Sequence, residues 1–407
     1  MDFCRAAYGL YQGRAFRRAR ESKMRVNLAV SGRFHYHNVA PYLYKRGVLN
    51  CFYYAHRIST DGKSLGIPAE RLVNVWIKEY LLQGHSRLSW LPGLDVMGPA
   101  YRQIWESVSL ANWVAGDLLH IMLHGGGVNM ISRAHSDGAV VIGEPVNAHP
   151  NFQNEVLNFE YERLKIRKRL KLSIAQNRMI NEFGICDRLL VASQFVKRTF
   201  VEEGSDETKI DVLPFGVNLS RFSIKSDADR YRKKFRVICV AAISIRKGQV
   251  DLLEAWKHLA LPDSELILIG SLDPEMRGML KSYSGIFTHI PFVANQELGQ
   301  YFNESSVFVL PTLEDGSSLV CGEAMASGLP VITTVNNGAA ELVDDGVNGY
   351  VVPIRSPHVI AEKLSLLHRD REKAATMGKI GAEKMQLLSG WDGYGGKLVE
   401  IYLNALA

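Results

Sequence analysis

The chain has 407 residues, of which 47% are hydrophobic and 22% are charged. These proportions exclude a disordered chain, and the length favours two domains over one hydrophobic core. The apolar runs are shorter than the roughly 18 residues of a membrane-spanning helix, and the five cysteines lack the spacing of a metal site. We therefore predict a globular, cytoplasmic protein with reduced thiols and no bound metal.

The net charge of +6 is distributed unevenly along the chain. Residues 1–216 contain 28 basic and 20 acidic side chains, so this half carries about +8 and the remainder about −2. An excess of positive charge attracts anionic partners. The first half is therefore expected to meet a phosphorylated acceptor or an anionic membrane surface.

Residues 1–23 form a basic tail with six cationic and two acidic side chains. Two interpretations stay open for this tail. It is either a poorly ordered extension that precedes a start at Met24, or a helix that lies on a membrane surface.

Residues 24–30 form an apolar run that predicts a buried first strand, and a turn at Gly32 and a helix that opens near Phe34 follow it. A strand, a glycine turn and a helix are typical of the start of a nucleotide-binding domain. Gly32 is therefore a candidate for donor binding. His35 and His37 are candidates for the same cleft, with packing or helix capping as the alternative for each.

Alternating strands and helices continue through the first half and indicate a parallel sheet covered on both faces. Ligands of such sheets collect at the carboxyl ends of the strands, and two ends, residues 124–127 (HGGG) and 143–149 (GEPVNAH), are rich in functional groups. The further predicted strands are residues 49–55, 117–123, 138–142, 188–192 and 209–213.

Residues 161–172 (YERLKIRKRLKL) combine six basic side chains with spaced apolar ones. One interpretation is a cationic face that binds a membrane surface or an anionic acceptor. The other is a solvated face of a helix. Nucleic acid is a poorer partner, because no recognised binding motif accompanies the basic residues.

Proline and glycine interrupt the pattern at residues 213–222, where we place the domain boundary. A second alternating series starts with predicted strands at residues 237–243 and 265–270. The predicted segments are an extension at residues 1–23, a first domain at 24–216, a second domain at 217–390 and a closing helix at 391–407.

Arg246, Lys247 and Gly248 lie between a predicted strand and a helix at residues 250–259. Backbone N–H groups and the dipole at a helix start hold anions, and cations beside them neutralise the charge. This arrangement predicts a diphosphate site that uses Arg246 and Lys247.

Two short apolar runs, residues 307–310 and 330–333, predict buried parallel strands joined by a polar loop and a short helix. Two acids, Asp315 and Glu323, lie eight residues apart in this connection, at most about 12 Å along a helix. They can therefore hold different parts of one extended, hydroxyl-rich ligand. The residues expected to present backbone N–H groups to its phosphates are Gly316, Ser317, Ser318 and Leu319.

The stretch DGSSLVCGEAMASGLPVI, residues 315–332, resembles the motif EGFGLxxxEAMAxGxPVI of family-four retaining GT-B glycosyltransferases. The match is good from Glu323 onward, whereas Asp315 replaces the first glutamate and two serines replace Phe and Gly. The segment of residues 213–222 and the Arg-Lys-Gly loop also resemble parts of this family, although Ala242 stands where the family often has arginine.

The resemblance implies an α/β GT-B fold, in which two Rossmann-like domains face each other across a cleft and the closing helix crosses back to the first. It implies that Glu323 binds the donor ribose and that Asp315 belongs to the catalytic set. The family also places a residue, often histidine, just past a strand of the first domain, facing the anomeric carbon. Strand position matches Glu144 and residue type matches His149, and both candidates stay open.

The implied function is transfer of a sugar, with retention, from a UDP- or GDP-linked donor to a glycan or lipid-linked acceptor. No metal or other cofactor is expected, because cationic side chains and a helix dipole stabilise the departing diphosphate. Contact with an anionic membrane at the inner face is expected, and nucleic acid is not. The alternatives are a non-catalytic sugar-nucleotide-binding scaffold and a GT-B epimerase or phosphorylase.

Overall fold

The structure, a computed structural model, describes residues 24–32, 34–56, 65–87, 98–224, 234–388 and 390–407. The predicted basic extension, residues 1–23, lies outside these ranges. Two separate sheets account for the strands of the described residues, and all pairings within both sheets are parallel. The predicted GT-B architecture is confirmed.

The first sheet has seven strands in the order β3-β2-β1-β4-β5-β6-β7. Its central strands are buried along their whole length, as expected for apolar strands with helices on both faces. Its strands are β1 Val26–Val30, β2 Leu49–Tyr54, β3 Leu72–Asn74, β4 Leu118–Met122, β5 Val140–Glu144, β6 Arg188–Val191 and β7 Ile210–Val212.

The second sheet has six strands in the order β10-β9-β8-β11-β12-β13. The order reverses between β8 and β11, so the loops after these two strands open the crevice in which ligands of such sheets bind. Its strands are β8 Phe235–Val240, β9 Ser264–Ile269, β10 Thr288–Ile290, β11 Val307–Leu310, β12 Val331–Thr334 and β13 Gly349–Val352.

Helices cover both sheets. In the described residues they are α1 Tyr36–Lys45, α2 Trp76–Arg87, α3 Gly98–Ala111, α4 Val128–Ser136, α5 Pro150–Arg163, α6 Ile174–Ile185, α7 Gln194–Glu202, α8 Gln249–Leu259, α9 Met276–Leu280, α10 Asn295–Asn303, α11 Leu319–Ala326, α12 Pro357–Arg369, α13 Arg371–Leu387 and α14 Gly390–Ala405. None of them is long and apolar enough to cross a bilayer.

Helix α14 packs on the first domain although it follows the second in sequence. Tyr394, Leu398 and Tyr402 are buried in the core that also contains β1 and α1. The two chain crossings lie against each other, because a Cβ atom on Gly216 would lie 2.6 Å from the carbonyl oxygen of Gly390. This double crossing fixes one side of the interdomain cleft.

The basic segment 161–172 does not form the helix face that was one of the two interpretations of its sequence. Helix α5 ends at Arg163, and the residues from 166 to 172 have no regular secondary structure. Two of its cations contact the second domain: Arg163 pairs with Asp251 at 2.8 Å and Lys168 pairs with Glu275. Part of the positive charge that we expected to bind an external partner therefore forms ion pairs between the two domains.

Candidate active site

A cleft of about 1040 Å³ separates the two domains at the carboxyl ends of both sheets. Loops after β1, β4 and β5 line one side, and the loops after β8 and β11 together with the start of α11 line the other. Of the predicted site residues and cleft candidates, those that line this cleft are His35, His37, Arg246, Lys247, Asp315, Ser317, Ser318, Leu319 and Glu323.

The loop after β8 brings two cations to the start of α8. A single 3₁₀ turn, Ile245–Lys247, precedes Gly248, whose φ of 68° lies in the left-handed region that favours glycine. A Cβ atom at this position would also lie 2.0 Å from the carbonyl oxygen of Pro311. Glycine is therefore required here, and it lets Lys247 reach the loop after β11.

The Lys247 ammonium pairs with the Asp315 carboxylate, and the Ser318 hydroxyl donates a hydrogen bond to the same carboxylate. Burial raises the pKa of Asp315, but the neighbouring cations Lys247 and Arg246 outweigh it and hold the pKa below its usual value. Asp315 is therefore ionised and fixed in orientation at the floor of the cleft.

Arg246 is held by Glu314, which the sequence analysis did not single out. Its guanidinium lies 3.3 Å from the Glu314 carboxylate and donates to the Glu314 carbonyl at 3.1 Å. The same buried carboxylate accepts hydrogen bonds from the Ala148 backbone N–H at 2.9 Å and the Gln153 amide at 2.6 Å. Glu314 thus links the diphosphate loop directly to the first domain.

Gly316 makes a contact between the domains instead of lining the cleft. A Cβ atom on it would lie 2.0 Å from the carbonyl oxygen of Val146 in the first domain. Its own carbonyl accepts a hydrogen bond from the Ser193 hydroxyl at 2.8 Å. Its position favours a role in close approach of the domains over the predicted role in donor binding.

The start of α11 faces the cleft. Ser318 precedes the helix and its side chain does not cap it, so this side chain leaves the first backbone N–H groups of the helix available to a ligand. Ser317, Ser318, Leu319 and Val320 all line the cleft at this point. The helix start can therefore accept a phosphate or another anion.

Glu323 lies one turn into α11, near Arg221 and Asn295. Burial raises the pKa of Glu323 to about 7, and the opposing effects of Arg221 and of a hydrogen bond from Asn295 are smaller. The Arg221 guanidinium in turn donates to the Asn295 side chain. These two partners were missed, because they come from the linker and from α10, far from Glu323 in sequence.

The first domain presents His35 to the cleft and keeps Glu144 behind it. The Nε2 atoms of His35 and His120 lie 3.0 and 3.1 Å from the two oxygens of Glu144, which is only 1% exposed. His120 Nδ1 lies 2.7 Å from the hydroxyl of Tyr402 in α14. The expectation that Glu144 faces the cleft is therefore wrong: the strand end that carries it is covered by His35.

His149 and Gly32 also lie outside the cleft lining. His149 caps α5, accepts a hydrogen bond from the Asn151 backbone N–H at 3.4 Å, and packs against Phe183 and Phe200. It is thus one of the packing and capping residues of the first domain, and the expectation that it faces the cleft is also wrong. Gly32 forms the turn after β1, where the ring of Phe34 covers it.

Phe215 and Trp391 complete the environment of His35. The His35 ring lies 4.4 Å from that of Phe215 and stacks on Trp391 at 6.0 Å between centroids. Both residues belong to the crossings between the domains. The sequence gives no signal for this meeting, because it depends on how the two crossings pack.

In the described residues, no three His, Cys, Asp or Glu side chains are grouped so that they could hold a metal ion.

Residues 220–384 match the family described as Glycosyl transferases group 1. A GDP-mannose-dependent alpha-(1-6)-phosphatidylinositol monomannoside mannosyltransferase of Mycobacterium tuberculosis is 28% identical over 235 residues, which cover 53% of this chain and 61% of the relative. A D-inositol 3-phosphate glycosyltransferase of Paenarthrobacter aurescens is 28% identical over 50% of this chain and 54% of its own length. The chain thus spans about three-fifths or less of these relatives.

Solved structures agree in fold over most of the chain. Sucrose-phosphate synthase of Thermosynechococcus elongatus superposes with a TM-score of 0.68 at 18% identity, covering 94% of this chain and 98% of that protein. The Anabaena protein HepE, solved with UDP and glucose, superposes with a TM-score of 0.65 at 15% identity, covering 94% and 100%. The resemblance to group 1 glycosyltransferases noted in the sequence is confirmed.

Proposed function

We propose that this chain, whose residues 220–384 match the glycosyl transferases group 1 family, transfers a sugar from a nucleotide diphosphate donor to a glycan or lipid-linked acceptor with retention of configuration. The observation that carries the proposal is the meeting of Lys247, Asp315, Glu323 and the start of α11 in one cleft between two domains.

The donor diphosphate is assigned to Arg246, Lys247 and the first turn of α11. When the bond from the anomeric carbon to the phosphate oxygen breaks, negative charge grows on the diphosphate, and the Lys247 ammonium and helix N–H groups stabilise it. The Lys247 ammonium then contacts both the diphosphate and the Asp315 carboxylate. Asp315 is assigned to the sugar hydroxyls, because Lys247 and Ser318 fix its carboxylate at the cleft floor. These residues supply the charge stabilisation that the proposed metal-independent reaction requires.

His35 is assigned to the first-domain side of the transferred sugar, in place of Glu144 and His149. Its ring lines the cleft, and Glu144 fixes its orientation from behind at 3.0 Å. Glu144 is therefore a positioning residue in this proposal. The acceptor enters from the same side and forms the new bond to the anomeric carbon through a hydroxyl oxygen.

A panel of UDP- and GDP-linked sugars tests the proposal by thermal stabilisation and by donor hydrolysis without acceptor. A transferase is stabilised by its donor and hydrolyses it slowly, whereas a sugar-nucleotide-binding scaffold is stabilised by the donor but hydrolyses none. An epimerase would convert the free sugar nucleotide, and a phosphorylase would show the visible absorption of pyridoxal phosphate. Absence of binding to every nucleotide in the panel would refute the proposal.

We expect the affinity for the nucleoside to fall below pH 7 if Glu323 binds the ribose. Two ribose hydroxyls donate to a carboxylate, so the ionised form binds best, and the pKa of about 7 makes that form scarce at lower pH. Binding should be about tenfold weaker at pH 6 than at pH 8, in proportion to the ionised fraction. Calorimetry with the nucleoside avoids titration of the phosphates.

Two variants of Glu323 control this measurement. Glu323→Gln keeps the shape and should bind with little dependence on pH over the same range. Glu323→Ala removes a charge-assisted hydrogen bond and should weaken binding at least about tenfold at pH 8. A wild-type affinity that stays constant from pH 8 to pH 6 would contradict the assignment.

We expect peripheral binding to anionic vesicles through the free cations of the basic segment. Lys168 and Arg163 are engaged by the second domain, but four cations are exposed, and each contributes roughly 1 kcal/mol near an anionic bilayer. Wild-type protein should sediment with anionic vesicles at low salt and be released at high salt, because screening acts within about 8 Å. In the test variant, the four exposed cations are changed to glutamine: Lys165, Arg167, Arg169 and Lys171.

A matched control removes the same charge from the second domain, where exposed cations are changed to glutamine: Arg277, Lys281, Arg369 and Lys379. The first variant should stay in the supernatant, whereas the control should sediment like the wild type. If both lose binding equally, net charge alone is responsible. If neither does, the basic segment is not the membrane contact, and if the wild type itself stays in the supernatant at low salt, the acceptor side of the protein meets a soluble partner.

A further inference from the structure

A small side cavity of about 240 Å³ opens beside the cleft on the first domain, and Phe34 and His124 line both spaces. Its volume is below the range of about 300–1,000 Å³ that is typical of whole small-molecule ligands. A side cavity of this size accommodates one group of a larger ligand that lies in the cleft.

Apart from the Tyr101 phenol, the ionisable groups that line this cavity are basic: Lys78 from α2, Arg102 from α3 and His124 after β4. Lys78 is buried and donates to the Ser31 carbonyl at 2.6 Å and to Glu79 at 2.8 Å. Arg102 forms no ion pair with any carboxylate of the described residues. Among the described residues, the positive charge at the cavity therefore exceeds the nearby negative charge.

Two observations support this imbalance at Arg102. Burial lowers the pKa of its guanidinium, Glu182 opposes this effect, and Arg178 lowers the pKa to a smaller extent. The Glu182 carboxylate is already engaged, because it accepts hydrogen bonds from the backbone N–H groups of Gly125 and Gly127 at 2.8 and 2.6 Å. An anion in the cavity would supply the missing countercharge.

His124 adds a hydrogen-bonding group. Its Nε2 atom is buried without a hydrogen-bond partner among the described residues. Burial, together with the neighbouring cations Arg102 and Lys78, lowers the pKa of His124 to about 4, so the ring is neutral at pH 7 and can donate one N–H.

The glycine run after His124 explains how Arg102 comes so close to this loop. A Cβ atom on Gly126 would lie 2.6 Å from the Cβ atom of Arg102. Glycine at position 126 is therefore needed for Arg102 of α3 to pack this closely against the loop. The motif that the sequence singled out as rich in functional groups therefore seats the Arg102 side chain at the cavity.

We propose that this side cavity binds a phosphate group of the acceptor, with Arg102 and Lys78 as its cations and His124 as a hydrogen-bond donor. Guanidinium and ammonium groups recognise phosphate by charge-assisted hydrogen bonds. The inference rests on the proposed transferase function and specifies its acceptor as a phosphate ester, whether a lipid headgroup or a soluble sugar phosphate.

The test is calorimetric titration with inorganic phosphate in the presence of a saturating nucleoside diphosphate, which occupies Arg246 and Lys247. Wild-type protein should bind one phosphate. Arg102→Met keeps the aliphatic stem that packs on Gly126 but removes the charge, and should weaken phosphate binding at least about tenfold. Nucleoside diphosphate affinity should not change. The control variant is Arg133→Gln, which removes an exposed arginine of α4.

Equal phosphate affinity of Arg102→Met and the wild type would overturn the proposal, as would absence of phosphate binding by a wild type that binds nucleotide. If Arg102→Met does not fold, Arg102→Lys replaces it, and an affinity unchanged from the wild type would overturn the role of the guanidinium. If the nucleotide itself fails to bind, the transferase proposal fails separately. Phosphate titration of Lys247→Ala without nucleotide then still tests the cavity.

The source of the phosphate is distinguished by two further probes, vesicles that contain phosphatidylinositol and glycerol 1-phosphate in solution. Competition of vesicles with inorganic phosphate supports a lipid headgroup, and competition of glycerol phosphate alone supports a soluble ester. Competition by neither would overturn a site for phosphate esters.

Discussion

Replacing Lys247 with alanine is expected to lower turnover by about 10²–10³-fold, the usual loss when one group that stabilises developing negative charge is removed. The affinity for the bare nucleoside should change little, because Lys247 interacts with the diphosphate and Glu323 with the ribose. The measurement compares turnover with donor, and binding of nucleoside and nucleoside diphosphate, in both proteins. Equal losses of affinity for the two ligands would contradict the assignment.

The pairing of Lys247 with Asp315 requires a second variant in this experiment. Removal of Lys247 leaves the buried Asp315 carboxylate without its cation, so part of the loss could come from a disturbed cleft floor. The double variant Lys247→Ala with Asp315→Asn removes both charges. If it recovers nucleoside diphosphate binding, the loss in the single variant came from the disturbed cleft floor, and if binding stays weak, the loss came from the missing ammonium. Lys384→Ala, at a surface pair with Asp344, serves as a control.

In the described residues the sequence missed three strands, β3, β10 and β13, all of which lie at sheet edges, whereas it predicted the interior strands and the edge strand β7. Strands β3 and β10 have three residues each and are partly exposed, so they lack the continuous apolar run of β4 or β11. An edge strand packs on one neighbour only. Its pairing is decided by tertiary context that local sequence does not carry.

The second-domain side of the cleft was predictable because its groups are local in sequence. Asp315, Ser318 and Glu323 belong to one loop and the helix that follows it, so helical geometry fixes their spacing. The first-domain side is assembled from distant segments. His35 meets Trp391 only because α14 returns to the first domain, and no spacing in the sequence reports that contact.

Glu144 shows how strand position can give the right neighbourhood and the wrong role. The carboxyl end of β5 does lie near the cleft, as the sequence predicted for a parallel sheet. Burial raises the pKa of the Glu144 carboxyl, but His35 and His120 outweigh it and lower the pKa far below its usual value. The group is an ionised countercharge between two histidines, and its burial keeps it from acting on a ligand directly.

Glu144→Ala is therefore expected to reduce the free energy of unfolding by about 3–5 kcal/mol, the usual effect of removing one partner from a buried charged pair. The loss arises because His35 and His120, each only a few per cent exposed, keep their desolvation without the carboxylate. The substitution should also weaken the packing of α14, since His120 lies 2.7 Å from the Tyr402 hydroxyl in that helix. Urea unfolding at pH 7 measures the change, and Glu144→Gln, which keeps the shape, should lose less.

The exposed pair of His135 and Asp187, 3.1 Å apart, is the matched control. It also joins a histidine to a carboxylate of the first domain, but its side chains are 38% and 48% exposed, so His135→Ala should cost less than about 1 kcal/mol. A loss in Glu144→Ala no larger than in His135→Ala would mean that the cluster behind the cleft is solvated or easily repacked. The orientation of His35 would then need another cause, and its assigned place beside the transferred sugar would lose its support.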